Sequence, residues 1–414
     1  LGIEVGHSPS AAVLTRALST DCILIDAIFG TGFSGEPRGK EAEFIATAAR
    51  AAAQSGAPVL AVDIASGVDA STGEAGTRSL AADVTVTFHA PKVGHFVAPG
   101  SFLTGDLILA DIGIPQELSA DADHFLADGG ETALLVPPKM DYDNKFSVGR
   151  VLVAGGSTGL TGAACLASEA ALRTGAGVVT AAVPSSLNPI FEQKLLEVMT
   201  LPLADTGSGH LAEKALERLL AAADGFDCVA LGPGLGRDHE SVALVEKFIA
   251  RSTLPVVLDA DGLYAMSGKL SALKRRQSPT VLTPHAGELA RLLEVDSAEV
   301  KTHRLAMAKM AAKKSGAIVV LKGSSTIITN GRETVLSPSG NPGLATAGAG
   351  DVLTGIIATL LAKGLRAFDA AAAGAFIHGL SADLAAEKTG EDNLIASDLI
   401  NYLPLALASL QEED

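Results

Sequence analysis

Short apolar runs that each end in a loop of small or polar residues, and then enter an Ala-rich helical stretch, recur along the chain. "DCVALGPGLG" (227–236), "PVVLDADG" (255–262) and "PTVLTPHAGE" (279–288) give the pattern three times in succession. A run of three to five apolar residues bounded by turn signals reads as a strand buried on both faces. Such strands alternating with helices build a mainly parallel sheet covered by helices, an α/β fold. Composition agrees where it bears on packing: 44 glycines and only 4 % aromatics suit close helix-on-sheet contact.

The pattern occurs in two stretches. In the first, "CILID" (22–26), "PVLAVD" (58–63), "VTVTFHA" (84–90) and "LILADIG" (107–113) read as strands, with a helix over 40–56. Acidic residues and two prolines break the pattern after 115. It restarts at "RVLVAGG" (150–156) and runs through "STIITNGRETVLS" (325–337), where Asn330-Gly331 between alternating runs predicts a hairpin. Three helical segments close the chain. The expected organisation is a first domain over 1–118, a linker over 119–148 and a second domain over 149–414.

Several classes are excluded. With a net charge of −16 and no Lys/Arg cluster, the chain is no general nucleic-acid binder. Cys22, Cys165 and Cys228 are far apart and form no CxxC pair, so neither a zinc site nor a disulfide framework is expected. No apolar run reaches membrane-spanning length and no signal peptide is evident, so no membrane partner and a cytoplasmic location are expected. The chain begins at Leu1 inside an ongoing pattern, which reads as an N-terminal truncation.

In open α/β sheets, ligands bind beyond the carboxyl ends of the strands. The second domain places there "GGSTGLTGA" (155–163), "GPGLG" (232–236), "DADG" (259–262), "TPHAGE" (283–288) and "LKGSST" (321–326), with "TAGAGD" (346–351) opening a late helix. Free N–H groups at a helix start suit a phosphate. An Asp beside such a phosphate is costly unless it has a task, so Asp351 is either a catalytic acid–base group or a helix cap. The other polar residues also carry two readings. His285 is a ligand or a satisfied loop histidine. Glu288 favours a first turn. Asp259 and Asp261 form a close carboxylate pair, of which Asp261 would serve as a cap. Lys322 is a phosphate contact or a solvated strand end.

Taken together, "GPGLG", "LDADGL", "TPHAGE", "LKGSSTII" and "NPGLATAGAGDVLTG" resemble the ADP/ATP-dependent NAD(P)H-hydrate dehydratases of the ribokinase-like superfamily, over nearly all of the second domain. "LIDAIFGTG" (24–32), "AVDIASGVDASTG" (61–73) and "TFHAPKVG" (87–94) resemble the Rossmann-like NAD(P)H-hydrate epimerase domain. The combination is similar to the bifunctional NAD(P)H-hydrate repair enzymes of bacteria and archaea.

The resemblance implies a reaction and its residues. The damaged cofactor carries water added across C5–C6 of its nicotinamide ring. Its hydroxyl is phosphorylated and phosphate is then eliminated, with Asp351 as the base. Ala347, Gly348, Ala349 and Gly350 bind the transferring phosphoryl group of ADP or ATP, ADP being the donor expected from bacterial relatives, with Mg2+. Lys322, Gly323, Ser324, Ser325 and Thr326 contact the adenine nucleotide, and Ala163, Gly236 and His285 the hydrate. In the first domain Asp26 and Ser66 match potassium-contacting positions. Gly30, Thr31, Gly32, Phe33, Ser34, Gly35, Glu36 and Asp63 match substrate-contacting ones, with Asp63 as proton shuttle and Lys92 either its partner or a strand-end lysine. A homo-oligomer is implied. Two features depart from the family: no "GNNGGDG"-type loop precedes residue 24, and "DIPSG" is "DIASG" here. Dehydration is therefore the expected activity, and epimerisation by this chain is in doubt. The rival readings are a vitamin-precursor kinase of the same fold and, for the first domain, a non-enzymatic nucleotide-binding role.

Overall fold

The computed structural model describes residues 11–18, 21–119 and 121–411. The start of the chain, on which the expectation of truncation bears, lies outside them. The chain divides into two compact units, Leu1–Ala122 and Asp123–Asp414.

In the first unit β1 (Leu24–Asp26), β2 (Val59–Val62), β3 (Val84–Phe88) and β4 (Asp106–Ala110) form a four-stranded parallel sheet in the order β1-β2-β3-β4. The helix Gly39–Ser55 links β1 to β2 and buries Ala42, Ile45, Ala48, Ala51 and Ala52, an apolar stripe at helical spacing. It stops at Gly56, whose φ of +70° makes the left-handed C-terminal turn that glycine adopts without strain. All four strands run the same way, so Asp26, Asp63 and the loop after Phe88 gather at one edge.

The second unit has a ten-stranded sheet. Its strands are β5 (His124–Leu126), β6 (Arg150–Ala154), β7 (Val178–Pro184), β8 (Met199–Leu203) and β9 (Cys228–Leu231). They continue with β10 (Val256–Leu258), β11 (Thr280–Leu282), β12 (Ile318–Leu321), β13 (Thr326–Thr329) and β14 (Thr334–Ser337). The order is β5-β14-β13-β12-β11-β10-β9-β6-β7-β8. All pairs are parallel except β12-β13, reversed by the turn over 322–325, and β13-β14, reversed by the Asn330-Gly331 hairpin. From β6 the order runs outward through β7 and β8 on one side and β9 to β14 on the other, with β5 added beyond β14, so the gap between β6 and β9 is the topological switch point, where such sheets bind ligands.

The expected linker needs correction. Within 119–148, His124–Leu126 pairs with β14 as an edge strand and Gly129–Leu135 is a helix capped by Asp128. Leu336 C=O accepts the N–H of Ala127, so this stretch belongs to the second sheet.

Small residues set the packing beneath the switch point. The helices Thr161–Arg173 and Ala349–Ala362 lie so close that a Cβ on Gly355 would sit 2.2 Å from the Ala167 carbonyl oxygen. Cys165 and Cys228 are buried, as expected of small hydrophobes, whereas Cys22 is half-buried.

Candidate active site

The loops after β6 and β9 are stitched to each other. Pro233 C=O accepts the N–H of Gly156 at 2.8 Å, and Ser157 Oγ donates to Gly234 C=O at 2.8 Å. Gly236, at φ +73°, has no room for a side chain: a Cβ there would stand 2.8 Å from His210 Cδ2. Its N–H donates to Asp261 Oδ2 at 2.9 Å, and Arg237 Nε binds the other oxygen at 3.2 Å. Asp261 therefore secures the Gly236 turn rather than capping a helix; Ala260 holds the cap position. A Cβ on Gly234 would lie 3.0 Å from that of Ala163, and one on Gly236 3.1 Å from Ser157 Oγ, so the loops that carry Ala163 and Gly236 close together into one cradle at the switch point.

A charged network lies at the ends of the neighbouring strands. Asp259, only 1 % exposed, accepts from Thr283 Oγ1 at 2.7 Å, Lys322 Nζ at 3.0 Å and Thr354 Oγ1 at 2.9 Å. Lys322 thus turns inward instead of pointing to solvent. Burial works against its charge, but Asp259 and Glu288 outweigh it and raise its pKa. Glu288 Oε2 is 3.9 Å from Lys322 Nζ and accepts the His285 backbone N–H at 2.9 Å. His285 Nδ1 accepts from Gly287 N–H at 3.0 Å, completing a capping box on the helix Ala286–Leu293. That bond leaves the proton on Nε2, and the His285 side chain is 60 % exposed.

Asp351 enters over this network. Gly348, at φ +94°, caps the helix Ala349–Ala362, so Asp351 is in the first turn and the capping reading fails. It projects from the face that carries Thr354, three residues on. Burial, with the charge of Asp259 adding to it, pushes the Asp351 carboxyl up to about 7; Lys322 opposes, and Asp261 and Glu288 add. A Cβ on Gly350 would lie 3.0 Å from Lys322 Nζ, so the helix start and the lysine are in close apposition. Two anchors order the loop before it. His378 Nε2, buried, hydrogen-bonds Ala349 C=O at 2.8 Å, and Asp383 accepts from Gly340 N–H at 2.8 Å and Asn341 Nδ2 at 2.9 Å. Burial pushes His378 down to about 4, so the ring is neutral and donates to that carbonyl.

One locality therefore holds the residues that the sequence placed on separate loops. Sequence reasoning missed the roles of Asp259, Glu288, Thr354 and His378. Only Asp259 and Glu288 carried a signal, as acids at strand ends. An apolar cleft of about 330 Å³ bordered by Phe125, Leu134 and Phe368 involves none of them.

In the first unit two pairs form. Asp26, 2 % exposed, accepts from Ser66 N–H at 2.7 Å and Ser66 Oγ at 2.6 Å. Ser66 Oγ in turn accepts from Phe29 N–H at 3.0 Å, which joins the pair to the 30–36 loop. That loop is mostly exposed; Phe29 and Phe33 stack at 4.6 Å beside a cleft of about 510 Å³ that also meets Ser34, Gly35 and Glu36. Glu36 is partly committed, accepting from Thr77 N–H at 3.1 Å. Asp63 takes a φ of +70°, a strained conformation for Asp. Its Oδ1 meets Lys92 Nζ at 2.6 Å and Thr87 Oγ1 at 2.9 Å. Burial alone would raise its pKa; hydrogen bonds from Lys92 and Thr87 and the Lys92 charge prevail and lower it. His95 accepts Lys92 N–H at Nδ1 and donates from Nε2 to Asp63 C=O at 2.9 Å, which holds the strained residue in place.

The model of a family described as NAD(P)H-hydrate dehydratase matches residues 151–405. The chain belongs to that family. A second model, described as YjeF-related protein N-terminus, matches residues 1–94. A bifunctional NAD(P)H-hydrate repair enzyme of Moorella thermoacetica is 44 % identical over 94 % of this chain and 74 % of its own length. The enzyme of the same description from Thermofilum pendens is 38 % identical over 100 % of this chain and 78 % of its own length. Among solved structures, an ADP/ATP-dependent NAD(P)H-hydrate dehydratase from Bacillus subtilis, co-crystallised with ATP/Mg2+, superposes with a TM-score of 0.60 at 27 % identity, over 69 % of this chain and 98 % of that one. The family-matched region contains the switch-point cradle, the Lys322 network and Asp351 together.

Proposed function

We propose that this chain returns the S form of hydrated NADH and NADPH to the intact cofactor, with ADP as phosphoryl donor and AMP and phosphate as by-products. The observation that carries the reading is Asp351, a carboxyl with a pKa of about 7 at a helix start otherwise made of Gly and Ala. A base poised near neutrality is what proton removal from a ring hydroxyl needs. The nicotinamide end of the hydrate occupies the Ala163–Gly236 cradle with His285 Nε2–H as a donor. The nucleotide lies along Lys322–Thr326.

The steps follow from these positions. Asp351 takes the hydroxyl proton as the hydroxyl oxygen attacks the β-phosphorus of ADP and AMP leaves. The N–H groups of Ala347 to Gly350 stabilise negative charge on the transferring phosphoryl group. The C6–O bond to phosphate then breaks, the departing phosphate takes the C5 proton, and the ring double bond is restored. Mg2+ accompanies the nucleotide; such ions are commonly held by one or two carboxylates plus phosphates. Among the described residues no group of three or more His, Cys, Asp or Glu side chains forms a metal site by itself.

For the first unit we infer a proton-handling role for Asp63 with Lys92 in interconverting the R and S hydrates, and a K+ role for Asp26 and Ser66. The donor set of the second pair is oxygen only, which suits a hard cation. We also propose a cytoplasmic location. No described helix is long and apolar enough to cross a membrane.

The test is incubation with hydrated NADH and ADP. Recovery of NADH absorbance with matching AMP and phosphate supports the reading. A stable phosphorylated hydrate would mark a kinase, and no turnover would mark a binding module.

A further inference from the structure

Two arginines of the second unit are largely buried, and they are equipped differently. Arg276 spends its guanidinium on Thr280 Oγ1 at 2.9 Å and on the carbonyls of Ile249, Ser252 and Leu254 at 2.7, 3.1 and 2.6 Å. It is a satisfied structural cation. Arg304, only 8 % exposed, reaches Ser325 C=O from Nη2 at a long 3.4 Å, and its Nε has no partner. No carboxylate among the described residues acts on its charge.

Its position is specific. A Cβ on Gly323 would stand 2.7 Å from Arg304 Nη1, so the turn carrying Gly323 rests directly on the guanidinium. Gly323 at φ +147° and Ser325 at φ +47° bend the backbone around it. This is the turn read above as the nucleotide contact. Charge balance there is unfavourable for a polyphosphate. Lys322 is already paired by Asp259 and Glu288, and Asp261 and Asp351 add negative charge. A buried cation with one long hydrogen bond and no carboxylate partner among the described residues weakens the fold unless binding uses it.

We propose that Arg304 is a nucleotide-positioning residue, whose guanidinium beneath the 322–326 turn supplies the positive charge that pairs with the phosphates of the bound nucleotide. The inference rests on the nucleotide reading of that turn. It also explains why a glycine precedes two serines: the backbone must come close to the guanidinium for its charge to be felt on the other side.

The experiment titrates the whole protein with ADP and with adenosine, for wild type, R304M, R304Q and R304K. Loss of a charge-assisted interaction should weaken ADP binding by about 10- to 100-fold in R304M and R304Q and leave adenosine within about twofold. R304K should recover most of the ADP affinity. Denaturation of the unliganded variants should show R304M about as stable as wild type, because the only protein hydrogen bond lost among the described residues is the long one to Ser325 C=O. Parallel weakening of ADP and adenosine, or a clear loss of stability in both neutral variants, would reduce Arg304 to a prop for the turn and overturn the proposal. Wild type binding ADP with R304M unchanged would overturn this inference alone. Wild type failing to bind ADP would overturn the nucleotide reading as well.

Discussion

Asp351 owes its pKa first to burial and then to Asp259, with Lys322 limiting the rise. In the proposed mechanism this carboxylate is the base and must be ionised, so kcat/KM for dehydration should climb with pH through about 7 and level off above it. Asp351→Asn should lose about 10²–10⁴-fold in rate and show no such limb, with ADP affinity largely kept. Retention of half the rate would return Asp351 to a structural role. The same carboxyl gives a stability signature of opposite sense. Its folded-state pKa lies above the unfolded value of 3.8, so the native state holds the extra proton between the two values. Stability is then lost as pH rises through that window, and Asp351→Asn should be the more stable protein at pH 8 and equal to wild type near pH 4. Urea titrations at the two pH values decide it. His285 poses a separate question, since its ring both caps a helix and exposes Nε2. Asn at this position keeps a capping oxygen. His285→Asn should therefore weaken the hydrate more than ADP with little change in stability, and the reverse order of affinities would assign His285 to the nucleotide.

At the scale of elements, the start of the helix Ala349–Ala362 depends on the helix Ala367–Thr389, through His378 and Asp383. His378→Ala leaves the Ala349 carbonyl without its donor, at a cost of about 1–3 kcal/mol. It also frees the loop that carries Ala347 and Gly348. Turnover should fall more than hydrate affinity, and the pH limb near 7 should stay where it is. His378, pushed down to about 4, is already neutral across that range. A limb that moved with His378→Ala would transfer the titration to the histidine. The strands and loops that bear the chemistry were legible because each ends in residues chosen for close approach, such as Gly236 and Gly350. The two edge strands were not. β8 holds Pro202, tolerated at a sheet edge, and β5 sits among acids and prolines with only three residues. Their composition resembles a connector because one side needs no pairing. The Asp259 network was hidden for another reason: its partners Lys322 and Thr354 lie 63 and 95 positions away, so only the fold brings them together.

At the scale of the whole molecule, the two units hold separate sets of chemical groups. Every group found around Asp351 lies within Asp123–Asp414, whereas Asp26, Ser66, Asp63 and Lys92 all lie within Leu1–Ala122. Dehydration should therefore be indifferent to changes in the first set. In an epimer mixture with excess ADP, Asp63→Asn and Lys92→Met should leave the rate of S consumption within about twofold of wild type, as expected for sites that share no partner. Replacing K+ by a bulky organic cation should do the same. Any effect of these changes should fall on the slower drain of the R form, read against spontaneous epimerisation measured in parallel. Asp351→Asn should give the converse, halting S consumption while leaving R and S to approach their equilibrium ratio. A fall in S turnover in Asp63→Asn, with unchanged thermal stability, would show that the first unit takes part in dehydration, and the assignment of that reaction to the second unit alone would be wrong.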